Sequence, residues 1–215
     1  MPIELETFHH VYNRGTDKRV VFNNIKDYKR FVLYLNVVND VEILSPAHNG
    51  MSEEESYSSH PSERLVNLVA FCLMPNHFHL LLQERTSGGI SKFMQRLGTA
   101  YTMYFNEKNE RSGALFQGRF KNRLIDSEAY LLKIIDYIHL NPMGSNSIAN
   151  SQDNLDNHEW SSYHHYCGKN KFSYMLQPEA LDRFTKISVG DEYKQWVSSQ
   201  NDFSEVEHLL IDPKG

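Results

Sequence analysis

Apolar and polar positions divide the chain into short elements. Phe8-His9-His10-Val11-Tyr12 is rich in aromatic and branched residues and predicts a strand that Asn13-Arg14-Gly15 ends. Tyr28, Phe31, Val32, Leu35, Val38 and Val41 recur at helical spacing and predict a helix over 26–43, capped by Asn23 or Asn24. Residues 65–73 form a nearly continuous apolar run, the mark of a buried strand. Met74-Pro75-Asn76 is a turn and 77–83 a second strand, so the two should pair as an antiparallel hairpin. Phe93, Met94, Leu97, Tyr101, Tyr104 and Phe105 line one side of a helix over 91–106. Residues 115–125 read as extended. Asp126-Ser127-Glu128 then opens a helix that Asn141-Pro142 stops. The order strand, helix, strand, strand, helix, strand, helix predicts an α+β fold. Its core is an antiparallel ferredoxin-like (split βαβ) sheet with helices packed on one face.

Two stretches lack periodicity. Residues 45–63 hold two Pro, a Gly, six Ser and three consecutive Glu, and read as an inserted loop. Residues 143–157 are rich in Asn and Ser and mark a boundary. The chain thus divides into a domain over 1–142 and a C-terminal extension over 143–215. The extension is mostly helical, with short amphipathic segments at 178–185, 191–199 and 203–211.

Composition narrows the function classes. With 40% apolar and 23% charged residues, the 215-residue chain has the balance of a globular protein. No run is long enough for a membrane span and the acidic N-terminus is no signal peptide, so a cytoplasmic location is expected. Two cysteines, Cys72 and Cys167, exclude a disulfide framework and a cysteine-rich zinc site. The net charge of −5 at first argues against nucleic acid. Its distribution reverses that reading. Residues 1–142 hold sixteen basic and sixteen acidic residues, and the extension carries the whole deficit. From Arg111 to Arg123, Arg119 and Lys121 included, four basic residues occur with no acidic one, interleaved with Phe116 and Phe120. This is the footprint of a phosphate-backbone contact, or equally of a solvated strand edge.

His77-Phe78-His79 carries the chemistry. On a strand, alternate side chains face opposite ways, so His77 and His79 share one face and Phe78, Leu80 and Leu82 the other. Two imidazoles side by side on the exposed face of a sheet can converge on one divalent metal and leave positions open for a substrate. No G-x-S-x-G and no phosphate-cradling glycine loop is present.

Four stretches in this order resemble one family. They are His10-Val11-Tyr12-Asn13-Arg14-Gly15, Met74-Pro75-Asn76-His77-Phe78-His79-Leu80-Leu81, Gly113 to Lys121, and Ala129-Tyr130-Leu131-Leu132 running into Tyr137-Ile138-His139-Leu140-Asn141-Pro142. Trp160-Ser161-Ser162-Tyr163 is a weaker fifth. The chain resembles the HUH nucleases, and among them the single-tyrosine transposases of small bacterial insertion sequences, closest to the REP-associated branch. The resemblance implies a nucleophile at Tyr130, Mg²⁺ or Mn²⁺ held by His77 and His79, and a single-stranded DNA substrate that carries hairpins. It implies cleavage and rejoining through a 5′-phosphotyrosine, by a monomer or a homodimer. The basic residues Arg14, Arg119, Lys121 and Arg123, with Asn13 and Gln117, are the expected DNA contacts, and Phe116 and Phe120 are expected in the core.

One position departs from the pattern. Relatives often carry a third metal ligand one turn after the tyrosine, and Ile134 stands there. Tyr137 and Asn141 share the helical face of Tyr130, whereas His139 points about 180° away and is expected to be structural. His10 is open between a place near the site and an ordinary sheet position. Two competing functions follow: a catalytically silent DNA- or RNA-binding protein on the same fold, and a metal-dependent phosphodiesterase with water as nucleophile.

Overall fold

A computed structural model of the chain describes residues 7–42, 63–143, 155–183 and 189–199. The elements are β1 (Phe8–Arg14), α1 (Ile25–Val37), β2 (Val66–Met74), β3 (His77–Glu84), α2 (Gly89–Lys108), β4 (Lys121–Ile125) and α3 (Glu128–Leu140). Two short helices follow, α4 (Tyr163–Tyr166) and α5 (Asp191–Ser199). The four strands form one sheet in the order β2-β3-β1-β4, with every neighbouring pair antiparallel. β1 and β2, joined through α1, therefore flank β3, and the split βαβ arrangement is present as expected.

The helices do not all lie on one face. α1 and α2 pack on the face that carries Val11, Leu68, Phe71, Leu73, Phe78, Leu80 and Leu82. α3 packs on the opposite face, against Phe8, Val69, Ala70, Cys72, Leu81 and Ile125. The reason lies in the central strands. β2 and the far half of β3 are apolar on both sides, and such strands need a layer on each. A bulge between Leu68 and Ala70 in the pairing with β3 adds to this, because it leaves Val69 and Ala70 both in the α3 core.

Local chemistry sets the boundaries. Asn24 caps α1 in a capping box with Asp27. α1 stops at Val37 and not at 43, because Asn39 leaves the helix to pair with β2. Its side chain donates to Val66 O at 2.9 Å and accepts from Val66 N at 3.0 Å. The extended stretch expected over 115–125 is a strand only from Lys121. Before it, Gly113 and Gly118 adopt positive φ (85° and 67°) and bend the chain.

The extension closes the outer edge of β2. Trp160 O accepts from Leu73 N at 2.9 Å, and Ser162 N donates to Phe71 O at 3.0 Å. Leu155, Tyr163, Tyr166, Leu181, Tyr193 and Val197 then join the α3 core. Of the three amphipathic segments, 191–199 is α5, and 178–185 is reduced to a 3₁₀ turn at Pro178–Leu181. Residues 203–211, and nearly all of 45–63, lie outside the described residues.

Candidate active site

Strand register assembles the site. His77 and His79 stand opposite Arg14 and Tyr12 of β1, and His10 stands opposite Leu81. On the other side of β1, Tyr12 and His10 face Lys121 and Arg123 of β4. Residues paired across antiparallel strands share a face, so the two histidines, His10, Tyr12, Arg14, Lys121 and Arg123 all lie on the α3 side of the sheet. That face is not the exposed one expected for the histidine pair. α3 covers it, His79 has no exposed surface, and the Tyr137 ring meets His79 edge-on at 5.3 Å.

The ring nitrogens of the pair are used in a definite way. His77 Nδ1 lies 2.7 Å from Asn76 Oδ1, and Asn76 is itself oriented because its Nδ2 donates to Lys18 O at 3.1 Å. His79 Nδ1 lies 2.9 Å from His10 Nε2. Both Nε2 atoms then converge on one amide. Asn141 Oδ1 is 3.0 Å from His77 Nε2, and Asn141 Nδ2 is 3.2 Å from His79 Nε2. Burial pushes His79 well below the ordinary imidazole value, with His10, His77 and Arg14 adding to the effect, and burial pushes His10 down to about 3. His79 and His10 are thus neutral imidazoles, the form that ligates metals.

Asn141 caps the C-terminus of α3, the helix that begins beside Tyr130. Ile134, where relatives often carry a ligand, is fully buried in the α3 core. Among the described residues no three of His, Cys, Asp and Glu gather as a metal site. The third donor beside the pair is an amide oxygen instead. Two imidazole nitrogens and an amide oxygen, with both rings fixed through their other nitrogens, fit a small divalent cation. Donors about 2.1 Å from one octahedral ion lie about 3 Å apart, which is the His77–Asn141 spacing. Nitrogen donors suit Mn²⁺ better than Mg²⁺, which prefers oxygen and keeps several waters.

Tyr130 lies in the first turn of α3, whose N-cap Ser127 accepts from Tyr130 N. Tyr130 is seven residues before Tyr137, about 10 Å along the axis. Burial raises its pKa above the ordinary phenol value. Asp126 adds to the rise and Arg123 opposes it.

The expected DNA contacts divide. Arg119, Lys121 and Arg123 are exposed, and Gln117 is exposed with its backbone N–H bound to Arg14 O at 2.8 Å. Arg14 is half-buried beside His77. Asn13 does not join them. One residue out of phase with Arg14, it lies on the α1–α2 side of β1, donates to Gly118 O at 3.3 Å and accepts from Arg14 N at 2.9 Å. It shapes the 116–118 turn. Phe116 is buried and Phe120 packs against the same core, as expected. His139 is structural, with Nδ1 2.5 Å from Tyr193 Oη and Nε2 2.6 Å from Ser162 Oγ.

Comparison with known proteins gives a family match and a structural likeness. Residues 54–141 match the family model described as "Transposase IS200 like". That segment carries His77, His79, the basic residues from Arg111 to Arg123, Tyr130 and Asn141. No curated protein matches the chain. A solved structure of a REP-associated tyrosine transposase bound to a REP hairpin is similar at 13% identity and a TM-score of 0.47. The match covers 87% of this chain and 92% of that one. No helix of the described residues is long and apolar enough to cross a membrane. Over residues 54–141, the chain is similar to the IS200-like transposases.

Proposed function

We propose that the protein cleaves and rejoins single-stranded DNA, with Tyr130 as nucleophile and a divalent cation, Mn²⁺ or Mg²⁺, at His77, His79 and Asn141. The observation that carries this reading is the convergence of both Nε2 atoms on the Asn141 amide while each Nδ1 is held by its own partner. A cation bound there would supply Lewis-acid polarisation of the phosphodiester.

The chain's own residues supply the rest. Arg14, Lys121 and Arg123 form a positive edge along β1 and β4 that leads from the histidines toward the N-terminus of α3. It holds the backbone of an extended strand by charge. Tyr130 Oη gives up its proton and bonds to phosphorus, the P–O3′ bond breaks, and the 3′ oxygen takes up a proton. The phosphodiester energy stays in the tyrosyl ester, so a 3′-OH can reverse the step without a nucleotide cofactor. In the free protein Tyr130 is a neutral phenol, because burial and Asp126 outweigh Arg123. DNA hairpins are the proposed substrate, and a monomer or a homodimer remains compatible with this chemistry.

An adduct assay tests the reading. The protein, labelled hairpin DNA and Mn²⁺ are incubated and resolved on a denaturing protein gel. A labelled band that disappears in Tyr130→Phe and with chelator is expected. Cleavage without a band would move the function to a water-based phosphodiesterase. Binding with neither would leave a silent nucleic-acid-binding protein.

A further inference from the structure

We propose that Cys72, Met74 and His158 form a binding site for a soft monovalent cation, Cu⁺, separate from the site at His77 and His79. The strand period brings the first two together. Cys72 and Met74 are two residues apart on β2 and share its α3 face, while Phe71 and Leu73 turn to the α1–α2 core. The extension supplies the third. It runs along the edge of β2, where Trp160 O accepts from Leu73 N, and this places His158 beside the thiol. Cys72 Sγ lies 3.6 Å from His158 Nε2 and 3.8 Å from Met74 Sδ. The His158 backbone is pinned on both sides. Its N–H donates to Leu155 O at 3.3 Å, and its carbonyl accepts from the His164 ring at 3.2 Å.

Two sulfurs and an imidazole at these spacings are the donor set of a small, soft ion. With bonds of about 2.3 Å to sulfur and about 2.0 Å to nitrogen, donors in a trigonal or tetrahedral array lie about 3.5–4.0 Å apart. Donor type chooses the ion. Thiolate and thioether together favour Cu⁺, whereas Zn²⁺ sites are built from thiolate, imidazole and carboxylate. Among the described residues no carboxylate joins Cys72 and His158 as a third ligand.

Charge makes the same choice. Cys72 has no exposed surface. Burial holds its thiol well above the ordinary value, and Ser161 only partly opposes this. Binding therefore displaces the thiol proton: the S–H bond breaks, an S–Cu bond forms, and the proton passes to solvent. A thiolate with Cu⁺ is neutral overall, which an enclosed position tolerates, whereas Zn²⁺ would leave a net charge there. Met74 and His158 are half-buried and give the ion its way in. Across the hairpin, Cys72 stands opposite His79 and Met74 opposite His77. The two sites share a face and divide by chemistry, with sulfur and one imidazole here, and two imidazoles and an amide there.

The test uses the metal-free, reduced full chain without oxygen, titrated with Cu⁺ against a chromophoric Cu⁺ chelator. One retained ion is expected, with two sulfurs and one nitrogen around it by X-ray absorption. Met74→Leu, which nearly conserves volume, should lower the sulfur count to one and weaken retention. Cys72→Ser should lose the ion, whereas Cys167→Ser and His77→Ala should keep it. Thermal unfolding of each variant separates these effects from misfolding. A wild type that retains no Cu⁺, or holds it by nitrogen alone, overturns the site. So does a folded Met74→Leu with an unchanged sulfur count, and so does loss of the ion in folded His77→Ala, which would assign it to the histidine pair. A wild type that takes Zn²⁺ at this cluster in preference to Cu⁺ overturns the choice of ion.

Discussion

At the scale of the residue, the site depends on which nitrogen or oxygen faces inward. Asn141→Ala removes the amide oxygen beside His77 Nε2 and should weaken Mn²⁺ binding by about tenfold or more in a calorimetric titration, while His79→Ala should abolish it. In the proposed reading, Lys121 and Arg123 would act on DNA by charge alone. Replacing both with Gln should lower the log–log salt slope of single-stranded DNA binding by about 1.4, at about 0.7 per contact, with little change in sequence preference. The histidine pair was legible in the sequence because two-residue alternation puts His77 and His79 on one face whatever the fold. Asn141 was half legible. Its shared helical face with Tyr130 follows from spacing, but its approach to two imidazoles depends on where the end of α3 lands on the sheet. Asn13 falls on the other face for a reason visible in the same alternation: it is out of phase with His10, Tyr12 and Arg14.

At the scale of the element, helices are held by their ends as much as by their faces. Asp27 is fully buried in the first turn of α1. It accepts from Asn23 N at 2.8 Å and from Tyr104 Oη at 2.9 Å, and pairs with Lys108 of α2. One carboxylate thus closes the capping box and ties α1 to α2. Asp27→Ala leaves several donors unmatched and should cost about 3 kcal/mol, roughly 6–12 °C in Tm for a chain of this size. A Tm within about 2 °C of the wild type would contradict that role. The cap itself was legible, since Asn23 or Asn24 before a helical pattern is a local signal. The early end of α1 was not, because Asn39 is drawn out by β2, which follows more than twenty residues later. The second helical layer was likewise hidden, although the apolar residues on both sides of β2 contained the hint.

At the scale of the molecule, buried imidazoles on both sides of α3 set the response to acid. Burial holds His10 and His139 near about 3 and His158 near about 4, and keeps His79 well below the ordinary value near 6.5. The unfolded chain therefore binds more protons than the folded one from about pH 6.5 down to about 4, and stability falls as pH falls through that window. Each group contributes up to about 1.4 kcal/mol per pH unit. Asp136 works the other way. Burial raises it from 3.8 to about 6, so below about pH 6 it takes up its proton in the folded state first and offsets one histidine. The expected result is a Tm that drops steadily between pH 7 and 5, and a flat profile would refute the assignment of neutral buried histidines. Finally, α3 carries Tyr130 at one end and Asn141 at the other, eleven residues apart, which is three turns to within about 20°. The helix therefore behaves as a ruler with an angular scale. Inserting or deleting one residue between the two rotates them apart by about 100°, so this stretch should tolerate substitution on its outer side while rejecting any change of length.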